Sequence, residues 1–478
     1  MDYKEALKYL DSLEVFGIKL GLERIRRLLA ILGMPQESYP VAHVTGTNGK
    51  GSVSAMLADM ISGSGCRTGL YTSPHLLSYR ERMQIDRQPI SEQDFALCME
   101  KVKTAAEKMA RGGDEYPTQF EVLTALAFLY FSMEKVDYAV IEVGLGGLLD
   151  STNVVVPTVS VITNVAFEHA DRCGGTLEGV AKHKAGIVKT GVPVVTAANG
   201  MPLQIIRDTA KKNNCEIIVF GQDFDAGCIG CDGMLQKIEF ESFYGEKWSA
   251  VYDLSLLGTY QTANSAVALQ ALYVLKQNDS RIKMETALNA LGRTEWPCRF
   301  EVMQAGNQKI VIDGAHNPAG MTALRKSLDF YFPEEKRLFL LGILKDKDIE
   351  KMIEILLRRT DGVVVTQPQS ERAEMPEALG KRLADNCLAV EKDPRLALEK
   401  ALRLADGKGL LCITGSLYLV GMIRGLLGEY APVKAPVVPE DGRGIRRFDT
   451  TPDGKEKGLH FSDRKCCEGG DEAEPQRS

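Results

Sequence analysis

Apolar and polar positions along this chain fall into alternating blocks. The run YPVAHVTG (39–46) is apolar at successive positions, as a strand buried on both faces is, and GKGSVSAMLADMISGSG (49–65) follows it as a helix. Gly69–Thr72 reads as a short strand, 120–136 as a long apolar helix, and DYAVIEVG (137–144) as the strand after it. VSVITNV (159–165) and VPVVTA (192–197) continue the series, and TANSAVALQALYVLKQ (262–277) returns to helix. Strand–helix alternation of this kind predicts an α/β fold with a doubly wound parallel sheet.

Two stretches break the rhythm. Residues 228–252 alternate on a shorter period with turn residues between, which predicts a small antiparallel patch appended to the first domain. Pro297, in LGRTEWPCRFEV, interrupts the pattern and marks a boundary. A second, smaller strand–helix block then runs from KIVIDGAHNPAG to GLLCITGSLYLV. The expected layout is a first domain over 1–293, a linker over 294–298, a second domain over 299–430 and a disordered tail over 431–478. That tail is rich in Pro, Gly and charge and has too few apolar residues to offset its ordering entropy.

Composition narrows the class. The chain has 478 residues, 44% of them hydrophobic and 26% charged, with a formal charge of −6. That balance suits a two-domain globular protein and gives no reason to expect nucleic acid or an anionic membrane as partner. The N-terminus lacks the basic start and long apolar run of a signal peptide, and no stretch has the length of a membrane span, so the expected location is the cytoplasm. Eleven cysteines, an odd number, point to reduced thiols. Cys228 and Cys231 form a C-x-x-C without the second pair or histidines of a zinc site, and the plainer reading is a loop with two thiols, a redox pair being the alternative.

The sharpest local signal is Thr45-Gly-Thr-Asn-Gly-Lys-Gly-Ser52, where a strand passes into a helix. Glycines let backbone N–H groups turn toward phosphate, the helix N-terminus adds its dipole, Lys50 brings a charge and Ser52 a hydroxyl for Mg²⁺. The spacing is not the usual G-x-x-x-x-G-K-[ST], because Gly51 separates Lys50 from Ser52. Glu142 ends a very apolar strand, where a carboxylate faces the ligand crevice of such sheets and suits Mg²⁺. His169 is a metal ligand or a core histidine, and Lys182 and Lys184, on one helix expected over 176–189, are solvated unless something else recruits them. Asp313 and His316, three residues apart at a strand end, suit ribose or substrate binding, against the alternative of a hydrogen-bonded turn. Arg299 is placed either to bridge the domains to a phosphate or simply at the surface.

As an ordered series, HVTGTNGKGS, YTSPHL, IEVGLGG–LDSTN, KHKAGIVK, IDGAHNP, GILKDKD and ITGSLYLV resemble the folylpolyglutamate and dihydrofolate synthases of the Mur ligase superfamily, from about the first helix to residue 430. The resemblance implies a P-loop-type ATPase domain, a linker and a Rossmann-like C-terminal domain, acting as a monomer on ATP, L-glutamate and a reduced folate or dihydropteroate. ATP would phosphorylate the substrate carboxylate and the glutamate amine would attack the acyl phosphate. By motif match, Gly49, Lys50, Gly51 and Ser52 hold ATP phosphates, and Asn264, Arg299 and Asp313 contact ATP. Ser73, Glu142, His169 and Lys184 match Mg²⁺ ligands, Lys184 as a carbamate. Thr118, Gln119, Phe120 and Glu121, with Leu149, Asp150 and Ser151, match pterin-binding segments. Lys50, Lys184 and His316 are the residues expected to carry catalysis. Three positions depart from the pattern: Leu148 where many members have Arg, Glu168 where many have Asp, and Cys298 where a small residue, often Gly, stands. Rival readings are another Mur-type amide ligase and a P-loop module without ligase activity.

The composition of 431–478 leads to one expectation. Truncation after Tyr430 leaves ligase activity and Tm nearly unchanged, and a melting curve of the truncated chain checks it.

Overall fold

Val41–Thr45 is buried along its whole length, so it belongs in the middle of a sheet, and the structure puts it there. The computed structural model describes residues 1–17, 19–168 and 173–428, and His169 and the segment 431–478 lie outside the described residues. The first sheet has eight strands, in the order Gln88–Pro89, Met83–Ile85, Thr68–Tyr71, Tyr138–Glu142, Val41–Thr45, Val159–Ile162, Val194–Thr196 and Ile217–Val219. Six of these run parallel, as expected. The first two strands in that order pair antiparallel, an extension that the short run YRERMQI does not announce.

Helices cover both faces. Lys50–Gly63 and Gln261–Lys276 pack on one side in a core that includes Val53, Leu57, Leu269 and Leu272. On the other, Gln119–Met133 and Glu92–Arg111 pack with the N-terminal helices. Lys50–Gly63 and Gln119–Met133 are buried nearly all round, which explains why they read as apolar runs with little amphipathic bias.

Phe224–Asp232, Leu235–Ser242 and Trp248–Leu254 form the expected antiparallel patch. Cys228 and Cys231 sit within its first strand, so the loop reading of that motif is corrected. Alternate residues of Leu235–Ser242 are buried against the first domain's core, and this pattern holds the patch in place.

The second sheet has six strands, Glu301–Ala305, Gln308–Ile312, Leu410–Thr414, Arg337–Leu341, Gly362–Val365 and Cys387–Val390, parallel except for the first. Between the sheets the chain bends sharply, with Cys298 at φ 59° and Phe300 at φ 46°. A side chain in this left-handed region costs about 1–2 kcal/mol, so a glycine would suit position 298, and here the fully buried Cys298 occupies it. The bend is held by hydrogen bonds: Cys298 N–H donates to Glu301 (2.9 Å) and Phe300 N–H to Asp313 (2.8 Å).

Candidate active site

The carboxyl ends of the central strands of the first sheet open into a cleft of about 1180 Å³, closed on its far side by the second sheet's loops. Lys50–Gly63 begins at its floor. Gly49 caps that helix at φ 86°, and a Cβ there would lie 2.5 Å from Asn264 Oδ1, so only glycine fits. The helix's first N–H groups have no partner within the helix and leave an anion site at its start. Thr47 N–H donates to Asn164 O and Asn48 N–H to Asn164 Oδ1, both at 2.9 Å, which clamps the loop to the next strand end. Lys50 Nζ folds back on the Gly46 and Thr47 carbonyls, 3.2 Å from each. Ser52 Oγ accepts from Gln261, and Gln261 in turn accepts from Asn264 (2.8 Å). The ring of Trp296 lies against Gly51, which explains why a glycine separates Lys50 from Ser52.

Glu142 and Lys184 give the cleft its unusual electrostatics. Glu142 is buried, and its carboxylate accepts from Ser73 N–H (3.2 Å). Burial pushes its pKa up to about 7, against the pull of Lys50, Arg299 and Arg82. Lys184 is also buried and donates to Gly46 O at 2.6 Å. Burial, and then the charge of Lys50, brings its pKa down to about 7. Its helix, Leu177–Ala185, is shorter than the segment 176–189 expected from the sequence. Lys182 faces outward instead, exposed and paired with Glu178 at 2.7 Å.

The second sheet supplies the opposite wall. Asp313 is buried and fully engaged: Oδ2 accepts from Tyr260 OH (2.9 Å) and Phe300 N–H (2.8 Å), and Oδ1 from Ala315 N–H (2.8 Å). Arg299 donates to Cys298 O at 3.0 Å and lines the cleft. His316 has an acceptor for each ring nitrogen, Gly314 O at 2.8 Å and Glu168 Oε1 at 3.2 Å. Lys347 also reaches Glu168, at 3.4 Å. Burial alone would raise the Glu168 carboxyl, but hydrogen bonds from His316 and Asn317 and the charge of Lys347 hold it well below the usual range. Asn48 and Asn317 exchange side-chain hydrogen bonds across the cleft at 3.1 and 3.4 Å.

The remaining predicted positions gather beside the cleft. Thr118 caps Gln119–Met133, and its N–H and hydroxyl donate to Glu121, which also accepts from Arg24 Nε (3.1 Å). The second oxygen of Glu121 is buried without a hydrogen-bond partner. Gln119 donates to Leu10 O (3.1 Å), and the ring of Phe120 packs on Gly144. Leu149 O accepts from Gly21 N–H (3.5 Å). Asp150 accepts from Leu145 and Thr152 and caps the short helix Ser151–Val154 that Ser151 opens.

Sequence comparison accounts for this arrangement. Residues 44–272 match the Mur ligase middle domain, and residues 298–417 match the Mur ligase glutamate ligase domain. The chain is 33% identical over 427 residues to the dihydrofolate synthase/folylpolyglutamate synthase of Bacillus subtilis, covering 88% of this chain and 98% of that one. It is 36% identical over 430 residues to the folylpolyglutamate synthase of Lacticaseibacillus casei, with coverage of 89% and 98%. This chain belongs to the Mur ligase family, among the folylpolyglutamate and dihydrofolate synthases. The Mycobacterium tuberculosis folylpolyglutamate synthase complexed with ADP has the same architecture, with a TM-score of 0.81, 30% identity and coverage of 89% and 99%. The protein is an ATP-dependent amide ligase. No helix among the described residues is long and apolar enough to cross a membrane.

Of the expected residues, Gly49, Lys50, Gly51, Ser52, Ser73, Glu142, Asn264, Arg299, Asp313 and His316 line this ligase's cleft, and Lys184 donates to the phosphate loop. Sequence reasoning passed over Tyr260, Gln261, Trp296 and the part played by Lys347. Gln261 carried a usable signal, a polar residue at the head of an apolar helix, and the structure buries it completely. Trp296 and Tyr260 carried none, since their roles depend on distant chain segments.

Lys50→Ala is expected to fold normally and to lose roughly a thousandfold in kcat, because Lys50 is the cation that the phosphate loop brings to the cleft. Steady-state phosphate release, with a circular dichroism spectrum as the folding control, checks this.

Proposed function

We propose that this ligase adds L-glutamate to reduced folates and to dihydropteroate in the cytoplasm, releasing ADP and phosphate. The observation that carries the reading is the meeting, in one cleft, of a phosphate loop from the first sheet with the strand-end Asp313–His316 loop of the second. A nucleotide switch needs only the first of these. Joining a carboxylate to an amine needs two substrates held face to face across a closed space. The named relatives are a dihydrofolate synthase/folylpolyglutamate synthase and a folylpolyglutamate synthase, and the Thr118–Glu121 and Leu149–Ser151 segments are assigned to the folate substrate on that likeness, supported by the packing of Phe120 on Gly144 at the cleft.

The chain's own groups account for most of the work. The helix start at Gly49 and the Lys50 charge hold the transferring phosphoryl and favour its charge as it moves to the substrate carboxylate. The amine of glutamate then attacks the acyl phosphate, and phosphate leaves as the amide forms. His316 faces this step from the second domain, its ring fixed by Glu168 of the first domain and by the Gly314 carbonyl of its own loop. The donor set at the strand ends fits Mg²⁺: Glu142 is a buried carboxylate that accepts from the Ser73 N–H, and the Ser73 side chain adds a hydroxyl oxygen to the same set. When bound, Mg²⁺ supplies neutralising charge to phosphate oxygens. Lys184 fits a carbamate, since its buried amine is biased toward the neutral form that the modification requires.

Two measurements test the reading. Phosphate release with ATP, Mg²⁺ and L-glutamate should appear with either dihydropteroate or tetrahydrofolate and vanish without glutamate. Activity with tetrahydrofolate alone would remove the dihydropteroate half. Lys184→Ala should lose activity and partly recover it with added acetate, which replaces the lost carboxylate. Lys182→Ala should stay close to wild type, and an equal loss in both variants would reject the carbamate assignment.

A further inference from the structure

The Cys228-Ile-Gly-Cys231 motif has no part in the ligase reading, yet its placement is specific. In a regular strand, side chains three residues apart point to opposite faces. Here Cys228 pairs with Ile238, Gly230 with Lys237 and Cys231 with Gln236, which leaves Ile229 as an extra, unpaired residue. That one-residue bulge returns both cysteines to the same face, opposite two strand neighbours that also share a face. Cys228 Sγ bends forward to Gly230 O at 3.3 Å, toward its partner. Both thiols are only half-buried, so small reagents reach them.

The surroundings tie this pair to the cleft. Cys228 packs on the first domain's core and Cys231 on the second's, so the two thiols straddle the seam between domains. Tyr331, from the second domain, brings a buried hydroxyl against both sulfurs, and that hydroxyl has no well-formed hydrogen bond. Ile229 lines the ATP cleft beside Gly227. Among the described residues, no third His, Cys, Asp or Glu joins the pair to make a metal site.

We propose that Cys228 and Cys231 are a reversible dithiol–disulfide modification site, set into the wall between the ATP cleft and the domain seam. The co-reactant is a low-molecular-weight disulfide. The Cys228 thiolate attacks one of its sulfurs, forming a mixed disulfide and expelling a thiolate that takes up a proton. The Cys231 thiol gives up its proton and attacks Cys228 Sγ, expelling the second thiol. Two electrons and two protons pass from the protein to the small disulfide. Cys228 suits the first attack, because the neighbouring Cys231 thiol donates toward its sulfur and brings its pKa down to about 7. Closing the bond tightens the bulge and shifts Ile229 at the cleft wall, so the effect falls on ATP binding.

The test uses the full chain treated with oxidised glutathione, quenched with N-ethylmaleimide and mapped by peptide mass spectrometry. The peptide carrying both cysteines should lose two hydrogens and its alkylation, and dithiothreitol should restore both. The KM for ATP should rise roughly fivefold on oxidation, a coupling of the usual size, while Cys228→Ser and Cys231→Ser keep one KM in either state. Full alkylation of both thiols, or a glutathione adduct that stays on Cys228 without ring closure, would overturn the disulfide. A disulfide with an unchanged ATP KM would overturn its link to the cleft. The effect on KM rests on the ligase reading, whereas the mass measurement needs no activity and stands or falls separately.

Discussion

One buried carboxylate joins the parts of this molecule. Asp313 takes hydrogen bonds from Tyr260 in the first domain, Phe300 just past the linker and Ala315 in the loop that carries His316. Burying a charge costs several kcal/mol unless donors surround it, and here three donors from three parts of the chain do so. The linker's left-handed bend at Cys298 and Phe300 persists because this carboxylate fixes the Phe300 N–H. The position of the second sheet's wall, and so the width of the cleft, follows from that bend. Asp313 was read from the sequence as a nucleotide contact. The structure adds a positioning role that leaves it lining the cleft.

The electrostatics of the cleft follow from the sheet. Parallel strands bring their carboxyl ends to one edge, so Glu142, the Thr163–Asn164 turn and the phosphate loop meet where helix dipoles favour anions. Lys50 and Lys184 lie close enough that the charge of one disfavours that of the other, and burial adds to this. Such a site is poised for ligands that carry both signs of charge, a nucleotide polyphosphate together with its counter-cation.

Much of this was legible in the sequence, because the signals were local. Strand 41–45, the glycine loop after it and Glu142 at a strand end all follow from runs of adjacent residues. The antiparallel patch was legible as a change of period. The bulge at Ile229 was not, because a bulge is defined by the register of two strands and neither strand alone records it. The Glu168–His316–Lys347 cluster and the Asn48–Asn317 pair were hidden for the same reason: each joins segments more than a hundred residues apart in the chain. Leu177–Ala185 came out shorter than expected because Gly186 ends the helix ahead of the apolar residues that follow.

The first sheet ends at Gln88–Pro89, two exposed residues. An unprotected sheet edge offers a row of amide donors to any other extended chain. This one offers at most a single donor, since proline has no N–H. A stray peptide, or another molecule's edge, cannot zip onto it for more than one step. At this edge the large sheet is therefore closed to edge-to-edge polymerisation, and the apolar strands behind it stay out of reach from that side.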